Sequence, residues 1–238
     1  HQMKNIVKLL DKCKVCGNQD LIKVLTLDEQ YLSPTFVLSN KNNELAEIKT
    51  PLTLLLCDKN KNKNNCGLLQ LKEITEPDYL YKEYFYRTAT NDTMRKDLRE
   101  LVEQVLEISS PKSEDIVVDI GANDCTMLNF YEEKFNLVGF EPARNIKFVD
   151  NGKKIKLINN YFNSKNFKDI FARKKAKVIT SCAMFYDLEN PVEFVNDIEE
   201  ILDNEGIWCC QISYLDSMIR YNNFYDICHE HLSYYSLE

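Results

Sequence analysis

Ten residues, Asp115 to Asp124 (DIVVDIGAND), constrain the fold of this chain more than any other stretch. An apolar run, Ile116 to Val118, carries Asp119 at its tip and breaks at Gly121 before a helical pattern resumes. Such a run reads as a buried parallel strand, and a glycine at its carboxyl end lets the backbone approach a ligand closely. With six glycines in 238 residues, one at this place is not filler. Twenty residues on, Glu141 ends a second apolar run, LVGFE. In a doubly wound sheet that acid stands at the tip of the neighbouring strand, where it can accept hydrogen bonds from both hydroxyls of a ribose. Strand, glycine and spaced acid together predict a nucleotide-like cofactor. The plainer alternative is a strand–turn–helix with a solvated aspartate.

A dinucleotide would call for Gly-x-Gly-x-x-Gly, so that pyrophosphate can rest on a helix amino terminus. Here the turn runs Gly121-Ala122-Asn123-Asp124-Cys125, with one glycine and a carboxylate where the phosphates would go. That substitution repels an anion and suits a cationic ligand without phosphates. S-adenosylmethionine is one: ribose, adenine, a sulfonium, and an ammonium that could pair with Asp119.

Downstream of Asp115 the pattern alternates, with strands expected near 115–120, 137–141, 155–161, 176–183 and 206–213 and helices over 124–134, 143–149, 166–174, 191–203 and 215–221. This predicts an α/β fold, a Rossmann-like doubly wound and mostly parallel sheet, over residues 114–238. Before it, residues 77–113 form a tyrosine-rich link and a charged helix around 91–108, and residues 3–76 form a cysteine-bearing module. The last strand, GIWCCQIS, is apolar with little alternation and expects neighbours on both sides. Either a partner chain covers it, as in a homodimer, or further strands lie beyond Glu238.

In the front module, Cys13-Lys14-Val15-Cys16-Gly17 offers two thiolates with a glycine to turn the loop, a frequent zinc knuckle. Cys57 and Cys66 are the candidate second pair, although eight polar residues, DKNKNKNN, part them and read as an extended loop tip. Four thiolates close a tetrahedral site, so the zinc would be structural, a staple for a thin core of short strands. Free thiols or a redox pair are the alternatives. Cys125, Cys182, Cys209, Cys210 and Cys228 fall in apolar patterns, where cysteine acts as a small hydrophobe, and a reducing cytoplasm is the simpler setting. The net charge of −7, with no dense basic stripe, argues against nucleic acid, and no apolar stretch is long enough to span a membrane. His1 and Gln2, ahead of Met3, read as an expression scar.

The remaining histidines share one tripeptide, His229-Glu230-His231, preceded by Cys228 and amid Tyr225, Tyr234 and Tyr235. A histidine oriented by a carboxylate suits general acid or base work. The spacing of His229 and His231 is not that of a zinc-binding helix, and composition alone slightly favours a hydrogen-bonded surface pair.

The chain resembles, essentially end to end, two-part methyltransferases with a zinc-binding amino-terminal domain, a family that includes NDP-sugar C-methyltransferases of deoxysugar pathways. The segments that carry the resemblance are CKVCGNQDLIKVL, CGLLQL, YKEYFYRTAT, DIGANDCTMLNFY, VGFEP, ITSCAMFYDLENP and ICHEHLSYYSL, in family order. It implies that Asp119, Gly121, Asn123 and Glu141 hold S-adenosylmethionine, with residues 160–162, Tyr161 among them, near the adenine. Tyr84 and Tyr86 would lie over cofactor and substrate. His231 would be the proton-abstracting base and Glu230 its partner; His229 shares their motif, and Tyr186 stands near a place where the C-methyltransferases carry His. Cys228 stands where they carry Tyr, and the FYDLENP and ICHEHL wording resembles a less characterised branch. The family also continues with further strands and another carboxyl-terminal domain.

The resulting expectation is a methyltransferase acting on a nucleotide-activated sugar or related polar metabolite in surface-glycan or deoxysugar synthesis. An O-methyltransferase on a sugar or modified nucleotide is one rival. A non-catalytic, zinc-bearing assembly module is another.

Overall fold

The computed structural model describes residues 6–33, 48–148 and 151–237. His1, Gln2 and residues 34–47, part of the segment read as short-stranded, lie outside them. In chain order the strands and α-helices are β1 (Val7–Leu9), β2 (Leu21–Tyr31), β3 (Lys49–Cys57), β4 (Leu69–Leu71), β5 (Glu73–Thr75), α1 (Pro77–Tyr81), α2 (Asp92–Ser109), β6 (Ile116–Ile120), β7 (Asn136–Phe140), β8 (Ile155–Ile158), α3 (Ser164–Phe171), β9 (Ala176–Cys182), α4 (Pro191–Ile201), β10 (Leu202–Gln211), α5 (Leu215–Tyr221) and β11 (Ser233–Tyr234). They form two compact units, one of residues 1–80, 185–192 and 212–238, the other of residues 81–184 and 193–211.

The second unit holds a five-stranded, all-parallel sheet in the order β8-β7-β6-β9-β10. The chain starts in the middle at β6, winds outward through β7 and β8, then returns to β9 on the other side. This is a doubly wound sheet whose order reverses between β6 and β9, and ligands bind at the carboxyl ends beside such a reversal. Helix α2 starts where the Asn91 side chain accepts the Met94 N–H at 3.0 Å. Its Leu98, Val102 and Val105 pack with Val117, Leu137 and Val178 of the sheet. By strand alternation Phe140 faces the other way, into a series of edge-on rings with Phe162 and Phe194.

Sequence and structure part at two expected helices. Residues 124–134 make turns and one 3₁₀ turn, Leu128–Phe130, because Asn123 and Cys125 have φ of 49° and 63°, outside the helical range. No helix forms over 143–148, where Asn145 instead bonds the Tyr84 backbone. The last strand, β10, is an edge strand here, and its residues are half-buried or exposed where full burial on both sides was expected. At Gly206 it comes so close to β9 that a Cβ would meet the Ala176 carbonyl oxygen at 2.9 Å.

The first unit is antiparallel. Strands β2, β3, β4 and β11 form one sheet, and β1 pairs with β5. The carboxyl-terminal segment joins this unit because Ser233 and Tyr234 pair with Gln70 and Leu69, and Leu71 N–H donates to Leu232 O at 3.0 Å. Leu52, Leu54, Leu71, Ile74, Met218, Leu232 and Tyr234 make its core. Among the described residues no helix is long and apolar enough to cross a membrane.

Candidate functional site

At the order reversal of the parallel sheet, pairing sets Asp119 level with Gly139 on β7 and Thr180 on β9. A Cβ at position 139 would lie 3.0 Å from that of Ala122, so the turn after β6 lies tight against β7. Gly121 makes that turn with φ of +75°, and the N–H groups of Gly121 and Ala122 donate to Phe140 O at 2.9 and 3.0 Å. Asp119 is buried and accepts the Thr180 hydroxyl at 2.7 Å on Oδ1. Burial pushes its carboxyl up to about 7; the Thr180 bond opposes this and the charge of Glu141 adds to it.

Glu141 is also buried. Its Oε2 accepts the N–H of Asn123 at 2.8 Å and its Oε1 that of Ala143 at 2.9 Å. Burial raises its pKa, against the pull of these two donors and of Arg87. An ionised carboxylate has about four acceptor positions, so two remain, the number a ribose diol requires. The side chain of Asn159 fixes the loop behind it, donating to Glu141 O at 2.7 Å and Ala143 O at 2.9 Å.

Asn123 ties this acid to the tyrosine segment. Its Oδ1 accepts from Thr88 N–H at 3.1 Å and its Nδ2 donates to Tyr86 O at 3.1 Å. Arg87 folds back on the same segment, donating to Tyr84 O at 2.6 Å, Tyr86 O at 2.7 Å and Asn145 O at 3.0 Å. Asp124, expected to face the cofactor, is instead buried and engaged: it accepts Ala89 N–H at 2.8 Å, Thr126 N–H at 3.2 Å and the Thr126 hydroxyl at 2.6 Å. Asp119, Gly121, Asn123 and Glu141 thus come together, with the backbone at Tyr86 bonded to Asn123. Tyr161 stands on the loop after β8 and is exposed. Three buried carboxylates (Asp119, Asp124, Glu141) and one nearby guanidinium favour a cation over a phosphate.

The four catalytic candidates lie in the antiparallel unit. His229 is buried; its Nδ1 accepts Ser33 N–H at 3.3 Å, so the ring proton sits on Nε2, 3.2 Å from Thr50 O. Burial lowers its pKa and keeps it neutral. Glu230 Oε2 accepts the Ser33 hydroxyl at 2.7 Å. His231 is half-buried, with Nδ1 2.6 Å from Asp226 O. A carbonyl can only accept, so Nδ1 carries the proton and Nε2 keeps a lone pair, the tautomer a base needs. The Tyr186 ring packs edge-on against the imidazole at 4.5 Å between centroids. His231 and Tyr186 therefore form one cluster, while His229 is occupied in bracing the loop.

In the same unit the Sγ atoms of Cys13, Cys16, Cys57 and Cys66 all lie within 4.8 Å of one another, with contacts of 3.4 Å (Cys13–Cys66) and 3.5 Å (Cys16–Cys57). Zinc–sulfur bonds of about 2.3 Å in a tetrahedron put sulfurs about 3.8 Å apart, so the set fits zinc, whereas a disulfide needs about 2.0 Å. Gly17 and Gly67 turn the two knuckles with φ of 75° and 82°. The polar insert between Cys57 and Cys66 is a pinned set of turns, not an extended tip: buried Asn65 donates to Asp58 O at 2.7 Å and accepts Asn18 Nδ2 at 2.8 Å.

Residues 91–238 match the family described as "Methyltransferase domain". The chain belongs to that methyltransferase family. Residues 13–81 of the chain match a second family, described as "Putative zinc binding domain", which takes in all four clustered cysteines. It is 27% identical over 237 residues to the C-methyltransferase NovU of Streptomyces niveus, covering 99% of this chain and 55% of that protein's length. Among solved structures it is similar to the plantazolicin methyltransferase BpumL (18% identity, 56% of this chain and 57% of that one, TM-score 0.43). It is also similar to a chain in a Haloferax volcanii complex of the Trm112 methyltransferase activator with a methyltransferase (14% identity, 61% and 67% coverage, TM-score 0.44).

Sequence reasoning overlooked three residues of the methyltransferase crevice. Thr180 sits inside an ordinary strand run and shows its part only through register with Asp119. Arg87 and Asn159 bond to backbone, which leaves no spacing motif.

Proposed function

We propose that this methyltransferase transfers the methyl group of S-adenosylmethionine to a nucleotide-activated sugar or related polar metabolite of surface-glycan or deoxysugar synthesis. The observation that carries the cofactor is the Asp119–Glu141 pair at the order reversal, with acceptor capacity left on Glu141. Asp119 would take the ammonium end, Glu141 the ribose hydroxyls and Tyr161 the neighbourhood of the adenine. When bound, the cofactor supplies an electrophilic methyl group.

The protein's part in the reaction is to bind, orient and move one proton. His231 Nε2 accepts a proton from the acceptor, and the Asp226 carbonyl holds the resulting imidazolium through Nδ1. Tyr186 fixes the ring plane, and Glu230, anchored by Ser33, holds the loop. The relative named a C-methyltransferase supports a carbon beside a ketone as the proton donor. The sugar class rests on the resemblance of consecutive motifs. Nine unpaired thiols suit a reducing cytoplasm.

The test is incubation of the protein with methyl-labelled S-adenosylmethionine and a panel of nucleotide ketosugars, read by mass spectrometry, with solvent deuterium exchange at the ketose α-carbon. His231→Gln should abolish both exchange and methylation while S-adenosylhomocysteine still binds. A methylated product formed by His231→Gln at the wild-type rate would remove His231 from the mechanism.

A further inference from the structure

We propose that Thr180 is a positioning residue of the cofactor crevice: its hydroxyl holds Asp119 through Oδ1 and presents Oδ2, as an anion, to the ammonium group at the amino-acid end of the cofactor. The proposal rests on the cofactor reading above and deepens it. Asp119 and Thr180 are level across the β6–β9 pairing, at the point where a doubly wound sheet opens to its ligand. Gly139, level with Asp119 on the other side, carries no side chain. Among the described residues the Thr180 hydroxyl, 2.7 Å from Oδ1, is therefore the one hydrogen-bond donor to this carboxyl, and Oδ2 is left for a ligand. Thr180 is wholly buried, so no water replaces it without a change in packing.

What surrounds the pair is neutral or negative. Glu141 follows β7; Cys125 and Tyr131 follow the glycine turn; Cys182 ends β9. Burial pushes the Cys125 thiol up to about 12 and drives the Cys182 thiol and the Tyr131 phenol higher still, so none bears a charge near neutrality. The Arg87 guanidinium acts on Glu141, whereas no cation acts on Asp119 among the described residues. Without a cation of its own, Asp119 depends on one donated hydrogen bond to remain ionised until a ligand supplies positive charge. Its carboxyl, at about 7, places that balance inside the working range. Below this value a cationic ligand must first displace a proton, so its affinity should rise about tenfold between pH 6 and pH 8.

The experiment uses the whole chain with Thr180→Val, which keeps the branched shape, and Thr180→Ser, which keeps the hydroxyl. Asp119 is titrated by carboxyl carbon NMR without ligand, and S-adenosylhomocysteine affinity is measured by calorimetry from pH 6 to pH 9. Thr180→Val should move the Asp119 midpoint upward by about one unit, weaken binding about fivefold at pH 7 and recover most of it by pH 9, with Thr180→Ser close to wild type. An unmoved midpoint, or an affinity loss equal at every pH, overturns the proposal while the cofactor reading stands. If the wild-type protein binds no S-adenosylhomocysteine at any pH, both fall together.

Discussion

Glu141→Gln separates the two roles of the acid at the end of β7. In the wild-type protein each carboxylate oxygen accepts one backbone N–H, from Asn123 and from Ala143. Glutamine keeps one acceptor oxygen and turns an NH₂ group toward the other donor. One charge-assisted bond is lost, about 1.5–3 kcal/mol, and a buried N–H is left unpaired, about 1–3 kcal/mol. Against this, the variant no longer buries a charge, the cost of which shows in the raised pKa of Glu141. We expect a net loss of about 2–3 kcal/mol in urea denaturation with an unchanged m value. Cofactor affinity should fall separately, since the ribose hydroxyls lose one or both acceptors: about 1–3 kcal/mol, or roughly 5–150-fold in the Kd for S-adenosylhomocysteine by calorimetry. Glu141→Asp, with the charge kept and the reach shortened, should fall between. A Glu141→Gln protein that loses stability yet binds S-adenosylhomocysteine within twofold of wild type would make Glu141 a brace for the Asn123 turn and refute its assignment to the ribose.

Three further outcomes test other parts of the structure. Elemental analysis should find one zinc per chain; its removal by a strong chelator should abolish hydrogen-exchange protection in β3 and β4 while β6, β7 and β9 keep theirs, because metal binding is part of that unit's folding energy. His229 is held neutral with its pKa lowered below the unfolded value near 6.5, so its contribution to stability is present above that pH and lost as pH falls through it. Denaturation between pH 7.5 and pH 5 should show this slope in the antiparallel unit, and His229→Gln should flatten it. Asp124→Ala strands the N–H groups of Ala89 and Thr126 and should cost about 2–4 kcal/mol; a loss below about 0.5 kcal/mol would mean that those turns hold without it.

Legibility followed physical range. The parallel strands were readable because burial on both faces demands runs such as IVVDI, and the four cysteines because zinc fixes both the residue type and the number. The helix expected over 124–134 was not, because its apolar spacing is helical while Asn123 and Cys125 sit at positive φ, held by Glu141 and by turns no local pattern encodes. Asp124 has the composition of a ligand-facing residue and the bonds of a turn brace. The tail is the clearest case of non-local structure. Its last residues read as the end of the parallel-sheet region, yet β11 pairs with β4, more than 150 residues earlier in the chain. No periodicity within 212–238 carries that information, since an edge pairing of two residues is specified mainly by the partner strand.

The electrostatics of the crevice also argue about the order of events. A folded protein that buries Asp119 with one hydroxyl for support accepts a penalty that grows as pH rises from the unfolded carboxylate value toward about 7, since the folded state binds more protons over that interval. A ligand that brings an ammonium group to Asp119 offsets the penalty, so its stabilising effect should be larger at pH 8 than at pH 6, whereas a ligand that brings no positive group there would show the reverse or nothing. Thermal shifts with S-adenosylhomocysteine at the two pH values measure this directly. A shift of equal size at both would mean that the ligand does not meet Asp119, and the charge-based choice of cofactor would have lost its ground.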